Sequence, residues 1–282
     1  MGRMIISAFA DEYESAFDAQ LEALSRLGIE YIEPRFIGKK NIADLERDEV
    51  EEVKRMLDEK GIKVSAIGSP LGKIALDGDL SVHMEKARRV FETANALGAK
   101  YVRVFSFYPP KDKTIGECRD EVIAALSKML DLAQSYNVVL CHENEARIYG
   151  ESPEHCLDIL EHFGGRLRAV FDMGNFTLEG YDPIRAYGLL KKYVEYFHIK
   201  DALSAGAIVP AGCGEARIKE ILCEHSKEEK SDFFVSLEPH LQTFSGLNAL
   251  TSRNFDNPYK FETQQIAFEI AAERLWEIVN SL

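Results

Sequence analysis

The sequence predicts an α/β fold, a single-domain (β/α)8 barrel with parallel strands inside and helices outside. Three observations predict it. A short apolar, β-rich run recurs about eight times, and each run is followed by an amphipathic, charge-rich stretch. The 282 residues suit one such barrel. After the first apolar run, SAFADEYES contains no Gly-rich phosphate turn of the kind an open doubly wound sheet would want.

The elements follow in order. Strands are expected near 4–9, 30–33, 63–68, 101–106, 138–143, 168–172, 194–199 and 233–238. Helices are expected near 13–27, 46–60, 80–97, 115–136, 153–163, 183–192, 215–227 and 258–280. The first helix carries Phe17, Leu21, Leu24 and Leu27 at helical spacing. Gly28, Gly61 and Gly98 stand where helices would end in a left-handed cap before EYIEPR, KVSAIGSP and KYVRVFSF. Ser152 and Pro153 read as the cap and first residue of the helix at 153–163. No Pro/Gly/Ser-rich linker divides the chain, so residues 1–282 are expected to form one barrel domain.

Composition bounds the function. Hydrophobic residues make up 46% of the chain, enough for a large core, and no run approaches the roughly 20 apolar residues of a membrane span. The start, MGRMIISAFADE, lacks a signal-peptide core and cleavage site, which predicts a cytoplasmic protein without a membrane partner. A net charge of −13 disfavours nucleic acid as a partner. The five cysteines are scattered with no C-x-x-C pair, as expected of free thiols in a reduced compartment.

Barrel enzymes place their chemistry at the C-terminal ends of the strands. Four consecutive runs end in charge: HENE with Glu143, DMGN with Asp172, HIKD with His198 and EPH with Glu238. Burying such groups without partners costs several kcal/mol, and a shared cation removes most of that cost. Three carboxylates and an imidazole form an oxygen-rich set without thiolates. It suits one catalytic divalent ion, Mn²⁺ first, with Mg²⁺, Co²⁺ or Zn²⁺ as alternatives.

GIEYIEPR, VVLCHENEARIYG, AVFDMGN, YFHIKD, VPAGCGE and VSLEP together resemble the xylose isomerase-like TIM barrel superfamily, especially its sugar phosphate isomerase/epimerase group. The resemblance covers nearly the whole chain. It implies Glu143, Asp172, His198 and Glu238 as metal ligands, with Glu143 and Glu238 also the acid/base pair on opposite faces of a small carbohydrate substrate. The implied reaction is proton abstraction next to a carbonyl through an enediolate. It also implies a homo-oligomer, dimer or tetramer. One departure is Asn175, where relatives often carry a His three residues after the metal Asp. Apurinic-site endonucleases of the superfamily hold three zinc ions with many His ligands. Here the fourth strand ends in RVFSFYPP without a His, and VPAGCGE lacks their Asp-x-His pair.

Other residues near the expected mouth are substrate candidates. Glu33 and Arg35 read either as a substrate contact, with Arg35 on a phosphate or carboxylate, or as an ion pair with each other. Lys200 shares a strand face with His198 and reads as a substrate contact or a partner of a ligand carboxylate. Asn175, His240 and Tyr108 complete the substrate set. Phe9, Phe105 and Phe107 either wall a sugar or pack the barrel. Glu145 is the rival of Glu143 for the ligand role, and His142 is expected to point outward as a structural residue. The segment 241–257 reads as a lid or an oligomer contact. The functions in play are therefore a metal-dependent sugar isomerase or epimerase, a lyase or dehydratase of a keto-polyol or 3-keto-glycoside, and a non-catalytic sugar-binding barrel.

Overall fold

A computed structural model describes residues 2–241 and 259–282. Eight strands alternate with helices: β1 (Met4–Ala8), β2 (Tyr31–Ile32), β3 (Lys63–Val64, resuming at Ala66–Ile67), β4 (Tyr101–Val104), β5 (Val139–Glu143), β6 (Leu167–Asp172), β7 (Val194–Ile199) and β8 (Phe233–Leu237). β1, β8, β7, β6, β5, β4 and the second half of β3 form one sheet in that order, and β2 pairs with the first half of β3. All of these pairings are parallel. The Glu33 N–H donates to the Ala8 carbonyl at 3.0 Å, and the Ser65 N–H to that of Ile32 at 3.0 Å. These bonds join β1 to β2 and β2 to β3, closing the barrel. Among the described residues no helix is long and apolar enough to cross a membrane.

The outer layer holds α1 (Phe17–Arg26), α2 (Arg47–Lys60), α3 (Leu80–Leu97), α4 (Arg119–Gln134), α5 (Pro153–Phe163), α6 (Met173–Leu178), α7 (Pro183–Leu190), α8 (Ile218–Glu228) and α9 (Gln264–Asn280). Local chemistry sets their ends. α2 begins in a reciprocal Glu46/Glu49 capping box, buries Val50, Val53 and Leu57 at helical spacing, and stops at Gly61 with φ 66°. α5 begins at Pro153, with the Ser152 side chain accepting the His155 N–H.

Two layers of apolar side chains result. The larger lies between strands and helices and includes Leu21, Leu24, Phe91, Leu126, Ile159, Leu160, Phe197 and Leu275. The smaller fills the barrel itself with Ala66, Cys141, Val170 and Tyr196, over Tyr101, Val139 and Phe234.

The differences from the sequence expectation have local causes. α1 starts at Phe17 rather than 13, because Ala10–Glu12 forms a 3-10 turn instead. The last helix starts at Gln264 rather than 258, where the Thr263 side chain accepts the Ile266 N–H. β3 breaks at Ser65, whose hydroxyl bonds Ser7 at 2.6 Å and the Ile32 carbonyl at 3.2 Å. Two short antiparallel ribbons were not expected, Phe36–Ile37 with Lys40–Asn41 and Asp201–Ala202 with Ile208–Val209. Neither was α6, which the Asp172 side chain caps. Beyond Leu241, the expected lid or contact segment lies outside the described residues.

Candidate metal centre

Strand parity decides which side chains enter the barrel. Residues in register on parallel neighbours share a face, and residues two apart on one strand share it too. His198 on β7 registers with Asp172 on β6 and Ser236 on β8. Glu143 on β5 registers with Val170, which lies inside the barrel. Asp172 and His198 therefore face inward, as do Glu143 and, two residues beyond Ser236, Glu238. One ligand atom from each of Glu143, Asp172, His198 and Glu238 lies within 4.8 Å of the others, and all four residues are buried. His142 takes the opposite parity and is buried outside the strands, where its Nε2 has no hydrogen-bond partner among the described residues.

Each carboxylate has one oxygen tied back to the protein. Glu143 Oε2 accepts from Arg103 Nη1 at 3.1 Å, Glu238 Oε1 from Arg35 Nη1 at 2.7 Å and Asp172 Oδ1 from the Asn175 N–H at 2.8 Å. The other oxygens converge. Glu143 Oε1 is 2.9 Å from His198 Nδ1, and His198 Nδ1 is 3.6 Å from Glu238 Oε2. Lys200 Nζ lies 3.1 Å from Glu238 Oε2 and 2.9 Å from Asp172 Oδ2. His198 Nε2 lies 3.2 Å from both oxygens of Glu33, which also accepts from the Tyr196 hydroxyl at 3.1 Å. Glu33 thus turns the imidazole so that Nδ1 meets the other candidate ligands, a carboxylate–histidine arrangement common behind metal-binding imidazoles.

The donor set fits a hard or borderline dication: three carboxylate oxygens and one imidazole nitrogen, without a thiolate. The surrounding charge fits as well. Six buried carboxylates, Asp11, Glu12, Glu33, Glu143, Asp172 and Glu238, stand around three buried cations, Arg35, Arg103 and Lys200. Leaving the imidazoles aside, the carboxylates outnumber these cations by three, and a dication offsets two of that excess.

These charges shift the side chains' protonation. Burial alone would raise Glu143, but His198 and Arg103 outweigh it and hold the carboxyl at about 2. Burial would likewise raise Glu238, yet Lys200, His240, His198 and Arg35 bring it well below the ordinary range. At Asp172 burial wins over Lys200, and the carboxyl is raised. Burial lowers His198, but Glu143 and Glu33 overcome it and bring the imidazole to about 10.

The expected substrate residues are placed as follows. Arg35 and Glu33 do not pair with each other. Arg35 bonds Asp11 at 2.8 Å, Glu12 at 3.2 Å and Glu238 at 2.7 Å, and its guanidinium sits 4.5 Å from the Phe9 ring centre. The ion-pair expectation for those two is therefore corrected, because Glu33 is taken up by His198 and Tyr196 while Arg35 is taken up by Asp11, Glu12 and Glu238. Asn175 accepts from Lys200 Nζ at 3.1 Å and donates to the Asn144 carbonyl at 3.0 Å. His240 has φ 48°, and Glu12 holds it through its backbone N–H at 2.8 Å and Nδ1 at 2.7 Å. Tyr108 is half-buried in the loop after β4, with its backbone bonded to Ile74 and Leu76. Glu145 lies apart from the ligand set and pairs with Lys73 at 2.8 Å.

Sequence reasoning missed Asp11, Glu12 and Arg103. Arg103 sits inside the apolar run YVRVFSF and shares the inward face with Cys141. Its Nη2 donates to the Gly68 carbonyl at 3.2 Å and its Nε to that of Ser69 at 3.3 Å, and the guanidinium lies 5.0 Å from the ring centres of both Phe9 and Phe105. An arginine at an inward position of a doubly buried strand was the available signal. A second grouping, Glu12, Glu238 and His240, also brings ligand atoms within 4.8 Å, but the Arg35 guanidinium already bonds both of its carboxylates. The HIKD motif has a second use: Asp201 accepts the backbone N–H groups of Ala202, Gly212, Gly214 and Ala216 at 2.8–3.1 Å and so folds the loop after β7.

Comparison with known proteins places the fold. The sequence profile described as xylose isomerase-like TIM barrel matches residues 21–273. A search of curated proteins finds no match. Among solved structures, a D-allulose 3-epimerase from Methylomonas sp. is 15% identical with a TM-score of 0.75, covering 99% of each chain. The probable 3-DHS dehydratase AsbF of Bacillus anthracis is 17% identical with a TM-score of 0.72, covering 98% of this chain and 99% of its own. A barrel protein from Mycobacterium smegmatis in complex with magnesium is 15% identical with a TM-score of 0.71, covering 99% and 96%. At these identities the likeness shows the fold.

Proposed function

Because the chain belongs to the xylose isomerase-like TIM barrel family, we propose that it is a metal-dependent isomerase or epimerase of a sugar or sugar derivative. The observation that carries this reading is the convergence of Glu143, Asp172, His198 and Glu238 within 4.8 Å at the C-terminal ends of four successive strands. These residues would hold one divalent ion, Mn²⁺ first, with Mg²⁺, Co²⁺ or Zn²⁺ as alternatives. Magnesium is named with one structural neighbour. The ion, when bound, supplies a Lewis acid that polarises a carbonyl and stabilises negative charge on adjacent oxygens.

The chain's own residues do the proton work. Glu143 and Glu238 come from β5 and from the end of β8 and are ionised under the charges of His198, Arg103, Lys200 and Arg35. One removes the proton from the carbon beside the carbonyl. For epimerisation the other, which must first take up a proton from solvent, delivers it to the opposite face of that carbon, and the first then releases the proton it removed; for isomerisation the first returns that proton to the neighbouring carbon. Lys200 and His240 donate to substrate oxygens, while Glu33 and Arg35 position His198 and Glu238.

A lyase acting on a keto-polyol or 3-keto-glycoside is the second reading. The Glu12–His240 pair favours it. Glu12 fixes the imidazole, and its Nε2 lies 3.9 Å from Glu238 Oε1, where it can protonate a departing hydroxyl.

The test is metal analysis of the purified protein, followed by product analysis with keto-sugars and keto-polyols in the presence of that metal. Recovered epimer or isomer supports the first reading, and loss of water or of an aglycone supports the second. Glu143→Gln and Glu238→Gln are expected to abolish turnover with the fold intact. Full activity in both variants overturns the proton-transfer assignment.

A further inference from the structure

Lys200 Nζ has three acceptors: Asp172 Oδ2 at 2.9 Å, Glu238 Oε2 at 3.1 Å and Asn175 Oδ1 at 3.1 Å. An ammonium has three protons, and these acceptors take them all. Two of the three belong to the ligand set, and in each case the oxygen on Lys200 is the one left for an ion. Asp172 Oδ1 is held by the Asn175 N–H, and Glu238 Oε1 by Arg35. An ion at the centre and the Lys200 ammonium therefore draw on the same two oxygens. The residue is only 4% exposed, so its charge is poorly screened.

We propose that Lys200 is a built-in competitor for the metal, an internal cation that must give up Asp172 and Glu238 before the ion takes them. The inference rests on the metal-centre reading above and adds to it a positioning role. Once displaced, the ammonium keeps Asn175 Oδ1 as one anchor and is short of two acceptors. Its buried stem prevents retreat into bulk water, so the head stays at the edge of the centre. Oxygens of a polyhydroxylated substrate at the mouth replace the acceptors it lost. Ion and substrate consequently assist each other's binding: the ion frees the ammonium, and the substrate satisfies it.

The test is a direct titration of Mn²⁺ alone into wild type, Lys200→Met and Lys200→Arg, read by calorimetry or by the resonance signal of free Mn²⁺. Lys200→Met is expected to bind Mn²⁺ tighter than wild type by about tenfold or more, since a buried like charge beside the ion is removed. Lys200→Arg keeps the charge and is expected to stay within about threefold of wild type. A role confined to holding the fold would weaken binding, not tighten it. If Lys200→Met does not fold, Lys200→Gln takes its place, because an amide can occupy the same acceptors without charge. Unchanged or weaker Mn²⁺ binding in the folded neutral variant overturns the proposal, as does equal tightening in Lys200→Arg. A Glu143→Gln control separates the two layers. If it leaves wild-type affinity unaltered, the ion is not at this centre and the metal reading fails. If it weakens binding while the neutral Lys200 variant shows no gain, only the competitor role fails.

Discussion

The imidazole of His198 is clasped from behind by Glu33: Nε2 lies 3.2 Å from both carboxylate oxygens, which leaves Nδ1 to face the ligand set. Neither residue is exposed at all, so the contact is unscreened by solvent. Glu33→Gln keeps the shape and removes the charge that fixes the ring's tautomer and basicity. Outer partners of metal-bound imidazoles typically contribute about 10–100-fold to metal affinity. A loss in that range is expected in a Mn²⁺ titration of Glu33→Gln. Wild-type affinity in the folded variant would remove Glu33 from the account of the centre.

Arg103 is expected to matter to stability before chemistry. It bonds Glu143 at 3.1 Å, lies 3.7 Å from Glu238, and is 3% exposed. Replacing it with Met leaves buried carboxylates short of a counter-charge, which costs about 3–5 kcal/mol where one partner of a buried pair is removed. Urea melts of Arg103→Met in chelator should show that loss, and added Mn²⁺ should restore part of it by supplying positive charge to the same carboxylates. A variant as stable as wild type in chelator would show that the guanidinium is dispensable.

Where the sequence was legible, a single rule made it so. An apolar run ending in a carboxylate or imidazole marks a strand end at the barrel mouth, and Glu143, Asp172, His198 and Glu238 all stand at such ends. Arg103 escaped because it lies inside its run, where the apolar neighbours dominate the pattern. Asp11 and Glu12 escaped because they fall between the expected first strand and first helix, whereas a 3-10 turn carries both of them, buried, to Arg35 and His240. The expected Glu33–Arg35 pair did not form because each finds its partner across the barrel, His198 for Glu33 and Glu238 for Arg35. β2 ends before Glu33, and the chain then turns into the ribbon at Phe36–Ile37. Partners brought together by barrel closure, such as Glu238 with Arg35, have no local signature.

Close approach of α6 to β7 yields a further prediction. A Cβ on Gly174 would lie 2.6 Å from the Lys200 carbonyl oxygen and 2.9 Å from Lys200 Cβ. Both are backbone or near-backbone atoms, so neither can swing away. Gly174→Ala must push the start of α6 outward, taking Asn175 with it and disturbing the Asn175–Lys200 contact at 3.1 Å. Overpacking of this kind typically costs about 1–3 kcal/mol. A lower midpoint in chemical denaturation is expected, and an unchanged midpoint would mean that α6 is free to shift.

Away from the candidate metal centre, His83 sets a pH dependence of stability. Its Nε2 accepts the Gly72 N–H at 2.8 Å, a bond only the neutral ring can accept. Burial, with the Lys86 charge adding to it, pushes the imidazole down from 6.5 to about 4. In the unfolded chain the ring takes up its proton near the ordinary value, while the folded chain resists until near 4. Between those values the unfolded state holds more protons, so stability rises with pH across the window. The penalty grows as the pH falls from about 6.5 to about 4 and is constant below. His142, also buried and lowered to about 4, acts in the same direction. Carboxylates titrate in the same range, so the measurement must be differential. His83→Gln retains an oxygen able to accept the Gly72 N–H but has no proton to gain. Thermal melts of both proteins from pH 7.5 to 4 should show wild type losing more stability than His83→Gln through the window, with His142 contributing equally to each. A difference between the two that stays flat across the whole range would show that the neutral His83 ring is not what the loop at Gly72 depends on.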